Sequence, residues 1–259
     1  RVSRGLGDVY KRQVYTSSGE PSEGVSMRLR GIGSINSSNE PLFILDGSPI
    51  SGGAFTAINP SDIENVTVLK DASSTSIYGS RAANGVVVIT TKRGRGAKPT
   101  VSIKGQYGFS EPALPTTRMM TTSQYYDLWK TISPNADFSI IRKYMDMGIS
   151  TDWQSYLMKD NAPTWQLDAS ITGVANNTNY FISASHYDQD GVEPASGMRR
   201  ETLRSNIDTK VFDWLRVGVN LGLSYEDYET NNFATKGNNP YNVATLSRWA
   251  LPWETPYKI

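Results

Sequence analysis

The chain has 259 residues, 38% of them apolar and 20% charged, which is enough for one large or two medium domains of globular composition. Its 26 basic and 25 acidic side chains leave a net charge of +1, so it lacks the basic field that a nucleic-acid partner requires. Cysteine is absent and histidine occurs once, at His186, which excludes disulfides, thiolate metal sites and a cysteine nucleophile.

No run approaches the ~18 apolar residues of a membrane-crossing helix; the longest, about five, lies around Val86 to Ile89. A barrel strand remains open, because ~9–11 alternating residues suffice for one. No basic-plus-apolar signal sequence is legible at the start. Residues 1–13, RVSRGLGDVYKRQ, suit no element and are set aside as a foreign or artefactual leader.

Residues 14–98 have the texture of a small α+β domain, with short β-rich runs separated by Gly, Asn, Asp and Pro. Ser26 to Arg30, Leu42 to Leu45 and Val66 to Leu69 each read as a strand, the second closed by Asp46-Gly47 and the third by Lys70-Asp71. Asn59 before Pro60 predicts a short helical turn, since the Asn side chain can accept from an orphan N–H and proline costs nothing at the first helical position. Asp71 can cap a short Ala/Ser/Thr helix reaching Tyr78, and Gly85 opens a strand from Val86 to Thr91.

The basic, glycine-rich stretch Lys92 to Lys98 marks a boundary, and residues 99–259 alternate over longer strands. Val101, Ile103, Tyr107 and Phe109 share one face of the first. Trp165, Leu167, Ala169 and Ile171 alternate with Gln166, Asp168, Ser170 and Thr172, and Leu203, Ile207 and Val211 with Arg204, Asn206, Asp208 and Lys210. Leu215, Val217, Val219, Leu221, Leu223 and Tyr225 form the longest stripe, while Tyr180 to Tyr187 has less clean faces.

Short connections at Gly173 to Thr178 and Phe212 to Trp214 alternate with long ones at 111–163 and from Asp188 to Arg200. Outer-membrane barrels do this, with aromatic girdles near strand ends, where Phe109, Trp165, Trp214 and Tyr225 fall. A soluble antiparallel sheet with one packed face produces the same alternation. In the long loop, Thr122 can cap a helix carrying Tyr125, Leu128, Trp129 and Ile132, and Phe138, Ile141, Tyr144 and Met145 make a second stripe.

Chemistry-bearing patterns are sparse. Gly31 and Gly33 follow a strand but lack the helix and downstream acid of a dinucleotide loop. His186 lies mid-strand without a nucleophile elbow and reads as structural or lumen-facing. Asp188, Asp190 and Glu193 lack the spacing of a calcium loop. Glu226, Asp227 and Glu229 are neighbours on an extended chain and point to opposite faces or into a loop, unlike paired glycosidase acids. Asn36-Ser37-Ser38, Asn65-Val66-Thr67 and Asn176-Asn177-Thr178 match glycosylation acceptors without further context. The chain is not expected to be an enzyme or to hold a cofactor or metal.

The segment LKDASSTSIYGSRAANGVVVITTKRG, Leu69 to Gly94, closely resembles the plug signature of SusC/RagA-type TonB-linked outer-membrane proteins. SMRLRGIGSI, NEPLFILDGSPI and INPSDIENVTVLKD precede it in that family's order, and TDWQ, NYFISASHYDQDGV and WLRVGVNLGLSY are similar to its opening barrel strands. The resemblance implies an α+β plug domain followed by antiparallel β-strands of an incomplete outer-membrane β-barrel, about five strands of a 22-stranded wall. It implies import of glycan fragments or peptides with a SusD-like surface lipoprotein, driven by the TonB complex from an N-terminal segment not legible in this sequence. Arg28, Arg30, Lys70, Asp71 and Arg81 are the expected plug contacts with the polar lumen wall, with ion pairs inside the plug as the alternative. A siderophore- or cobalamin-type receptor and a surface β-rich binding module are the competing readings. No substrate-binding residue is named.

Overall fold

The computed structural model describes residues 12–15, 21, 26–29, 40–69, 75–112, 119–230 and 243–256, with only the backbone of 12–15, 26–29 and 244. A short antiparallel pair opens it, β1 (Arg12–Tyr15) against β2 (Ser26–Leu29). A strand thus begins inside the segment set aside as a leader.

The next unit is a four-stranded sheet in the order β4-β3-β6-β5, from β3 (Leu42–Leu45), β4 (Ser48–Ile50), β5 (Ile63–Leu69) and β6 (Val86–Thr91). Asp46 and Gly47, at φ 48° and 90°, turn β3 into β4. Strand β6 runs parallel to β3 and antiparallel to β5, and Val86, Val87, Ile89 and Thr91 on it are fully buried. Its unbroken apolar run follows from cover on both faces. On one face, Phe43, Val87 and Ile89 pack with Phe55 of α1 (Gly52–Thr56), whose ring stacks on Phe43 at 4.7 Å. On the other, Ile44 and Val86 meet Ala82 and Tyr78 of a 3₁₀ helix, Ser76–Ala82. That helix covers Tyr78 as expected, but it is kinked at Gly79 (φ 66°), and its expected cap Asp71 lies outside the described residues.

The turn after Asn59 is a 3₁₀ turn, Pro60–Asp62, with the Asn59 side chain accepting from Ser61 N at 2.9 Å. The expected strand from Val66 starts earlier, at Ile63, because Ile63 and Asn65 continue the ladder onto Thr91 and Thr90 across an irregularity in register.

Five antiparallel strands follow as a meander, in the order β11-β10-β9-β8-β7: β7 (Thr100–Ser110), β8 (Ala162–Ala175), β9 (Thr178–Asp190), β10 (Gly197–Phe212) and β11 (Leu215–Glu229). They form an unclosed wall in which β7 and β11 are edges. Asn176 (φ 51°) makes the tight β8–β9 turn. The β7–β8 loop carries α2 (Thr122–Ile132), α3 (Ser139–Asp146) and α4 (Trp153–Leu157), and α5 (Val243–Trp249) follows β11. The α2 cap is Thr121, one residue before the expected Thr122. Thr121 and Gln124 satisfy the reciprocal spacing of a capping box, while Thr122 is buried and donates its hydroxyl to the Ile149 carbonyl at 2.7 Å. Among the described residues no helix is long and apolar enough to cross a membrane.

Candidate functional site: the interface of plug and wall

Strand alternation gives the wall two unlike faces. Register puts Gln166, Asp168, Ser183, Ser185, Arg200, Arg204, Asn206 and Asp208 on one face. The opposite face carries Val101, Ile103, Leu167, Ile182, Leu203, Ile207, Val219, Leu221 and Leu223, all exposed. The polar face is the covered one. Asp168, Ser183, Arg200, Arg204 and Asn206 are each at most 9% exposed, against 72% for Ile103 and 60% for Val219. A soluble sheet buries its apolar face; this one inverts the rule, as a wall between lipid and a polar lumen does. The outer stripe from Leu215 to Tyr225 spans roughly 25 Å at the usual rise and a barrel tilt, the height of a lipid-facing band. Trp165 and Tyr225 flank one end and Trp214, 80% exposed, the other.

The α+β unit covers the polar face through polar groups of its 3₁₀ turn, of β6 and its exit, and of the end of α1. From its 3₁₀ turn, Asn59 Nδ2 donates to Asp168 Oδ1 at 2.8 Å and Ser61 Oγ to Asp168 Oδ2 at 2.9 Å. Gln166 Nε2 also donates to that carboxylate, at 3.0 Å. Arg204 Nε lies 3.5 Å from Asp62 Oδ2, both side chains nearly sealed from water. Burial pushes the Asp62 carboxyl above its ordinary value, against the opposing pull of Ser183 and the Arg204 guanidinium. From β6 and its exit, Thr91 Oγ1 and the Lys92 carbonyl both accept from Asn206 Nδ2 at 2.8 Å, and Arg93 Nη1 pairs with Asp208 Oδ2 at 2.6 Å. Arg200 Nη1 donates to the Thr56 carbonyl at 2.8 Å.

The segment that leaves β6 packs closely on the wall because Gly94 permits it. A Cβ there would sit 2.2 Å from Tyr180 N and 2.6 Å from the Gly173 carbonyl. Two cavities, of about 320 and 430 Å³, lie on this interface, and both are lined by Asn59 and Asp62. The seat is thus a set of discrete polar contacts with room for water, not a dry seal.

Of the residues expected to make such contacts, Arg81 is exposed at the end of its 3₁₀ helix, where among the described residues it makes no ion pair. Arg28 sits in β2 opposite Gln13, described by backbone alone, and Arg30, Lys70 and Asp71 lie outside the described residues. The contacts that are described come from Thr56, Asn59, Ser61, Asp62, Thr91, Lys92 and Arg93. Their legible signal was the polar face of each wall strand, which needs a polar partner once it is covered. His186 is on the outer face, not in the lumen: it registers with Leu167, bonds Glu201 and lies against the Trp165 ring at 4.2 Å. Asp188 and Asp190 pair with Arg199 and Lys159, and Glu226 accepts from Tyr228 at 2.7 Å.

A compact α+β unit seated by buried polar groups on the inner face of a lipid-facing β-wall defines the plugged, TonB-dependent class of outer-membrane receptor. The family model described as the TonB-dependent Receptor Plug Domain matches residues 4–86. A TonB-dependent receptor of Formosa agariphila is 36% identical over 241 residues, covering 90% of this chain and 24% of its own length. The TonB-dependent receptor SusC of Bacteroides thetaiotaomicron is 36% identical over 220 residues, 80% of this chain and 21% of that protein. A solved structure described as the RagAB peptide transporter superposes with a TM-score of 0.79 at 30% identity, over 92% of this chain and 30% of its own. The chain belongs to the SusC/RagA-type TonB-dependent receptors, proteins of the outer membrane, and spans about a quarter of the length of the curated relatives it matches.

Proposed function

We propose that the receptor containing this chain imports glycan fragments or peptides across the outer membrane, powered by the TonB complex and supplied by a SusD-like surface lipoprotein. The observation that carries this reading is the inverted wall: an exposed apolar band outside, and inside it a buried polar face clasping a separate folded plug. A barrel of many strands leaves an aqueous hole, so a plug held by exchangeable contacts is what a gated importer needs. The RagAB relative, described as a peptide transporter, supports the peptide class. In the same reading Arg28, Arg30, Lys70, Asp71 and Arg81 contact lumen wall beyond these five strands.

Uptake of labelled peptides or oligosaccharides by cells expressing the intact receptor, with and without TonB function, tests it. Uptake that requires both the receptor and TonB, with a surface lipoprotein co-purifying, is expected. Uptake indifferent to TonB, or confined to iron chelates, overturns it.

A further inference from the structure

At the long-loop end of the wall, two segments distant in sequence are tied together. Thr151 N donates to the Pro252 carbonyl at 2.7 Å, Thr151 Oγ1 to the Glu254 carbonyl at 2.8 Å, and Trp153 Nε1 to the Leu251 carbonyl at 3.0 Å. The Tyr125 and Trp253 rings meet edge to face at 4.8 Å. Between the segments is a cleft of about 370 Å³ walled by Met119, Met120, Tyr125, Trp153 and Trp249, with Arg248 at its edge. That volume suits one or two large side chains and is at the small end of ligand sites.

The polar inventory of the cleft selects its occupant. The Thr151 hydroxyl and the Trp153 indole N–H are already committed to backbone carbonyls, which leaves the exposed Arg248 guanidinium, unpaired among the described residues, as the charged group on offer. A sugar ring placed here would surrender several hydroxyl–water bonds with few partners in return. An aromatic or long aliphatic side chain would gain from the thioethers and ring faces, and a carboxylate would match the guanidinium.

We propose that this cleft is a capture subsite for peptides, taking one large apolar side chain between the methionines and Trp249 and a carboxylate of the same peptide at Arg248. It rests on the importer reading and narrows its substrate class to peptides.

The test is isothermal titration of the intact receptor in detergent with Ala-Ala-Ala-Ala-Phe, its C-terminal amide, and maltohexaose. The acid should bind, maltohexaose should not, Trp249→Ala should weaken the acid at least about tenfold, and Arg248→Gln should weaken the acid but not the amide. Both side chains are exposed, so an unchanged melting midpoint accompanies either substitution. Absence of peptide binding, binding indifferent to both substitutions, or maltohexaose binding lost with Trp249→Ala overturns the subsite. So does loss of a co-purifying lipoprotein in Trp249→Ala with peptide binding intact, the mark of a protein-docking surface. TonB-dependent uptake by cells separates the two levels. Its absence for every solute defeats the importer reading, whereas its presence with a functionally silent cleft defeats the subsite alone.

Discussion

Asn206, 1% exposed on β10, gives its amide to the Thr91 hydroxyl and the Lys92 carbonyl, both at 2.8 Å, and so joins the wall to the last residue of the plug sheet and the first beyond it. Thr91 in turn is held from inside the plug, its N–H and hydroxyl donating to Asp46 at 2.9 and 2.6 Å. Asn206→Ala leaves the Lys92 carbonyl without this donor and should cost about 1–3 kcal/mol. Asn206→Asp, which sets an acceptor against that carbonyl, should cost more. Thermal unfolding of the intact receptor and protease sensitivity near Lys92 check the order.

The Asp62–Arg204 pair sets a pH dependence. Because burial raises the Asp62 carboxyl above its unfolded value, the group favours the seated plug below the ordinary aspartate range, and that contribution is lost as pH rises through the raised value. Wild-type stability should therefore fall relative to Asp62→Asn across the pH window just above the ordinary aspartate range. Hydrogen exchange at β5 and β6 in the two proteins reads it; a difference constant with pH would sink the assignment.

Removing the cation is a separate case. Arg204→Met leaves Asp62 buried without its counter-charge, a loss of about 3–5 kcal/mol when one member of a buried pair is deleted, lessened by protonation of the acid. The double variant Asp62→Asn/Arg204→Met should recover much of that loss, measured as a coupling energy in a double-mutant cycle.

Gly94→Ala drives a methyl group into backbone atoms of Tyr180 and Gly173, which cannot swing aside as a side chain would. The connector must lift from β8 and β9, costing about 3 kcal/mol or more. A lower melting midpoint with new cleavage near Arg93 and Arg95 is the expected outcome.

The two faces of β11 should respond oppositely to charge. Leu221→Arg places a cation in the middle of the exposed apolar stripe and should cost about 2–4 kcal/mol with reduced assembly in the outer membrane, whereas Asn220→Lys on the inner face should change stability by less than about 1 kcal/mol. Equal effects would mean that the apolar face does not meet lipid.

Periodicity made the wall strands legible, since an alternating stripe such as Leu215 to Tyr225 admits a single extended register. Strand β9 read poorly because it breaks the pattern on both faces. Phe181 points inward, 3% exposed on the wall face that meets the plug, while His186 sits among the outer residues beside Trp165 and Glu201. The capping box at Thr121 and Gln124 was present in the spacing, one residue from the cap that the apolar stripe suggested.

By itself the sequence determined most strands of the wall and the faces of the regular ones, the helical turn at Asn59 and the family, because these depend on local periodicity, capping chemistry and a near-contiguous signature; the short strands Arg12–Tyr15 and Ser48–Ile50 carry no such signal. Only the tertiary structure decided which residues seat the plug and which face of the wall is covered. Asn59 and Asp168, or Asn206 and Thr91, are more than a hundred residues apart, and nothing local to either residue marks it off from the other polar residues of its element. Alternation states that two faces differ without stating which one meets water, lipid or protein. That depends on what is packed against each face, which in this chain is the plug on the polar side.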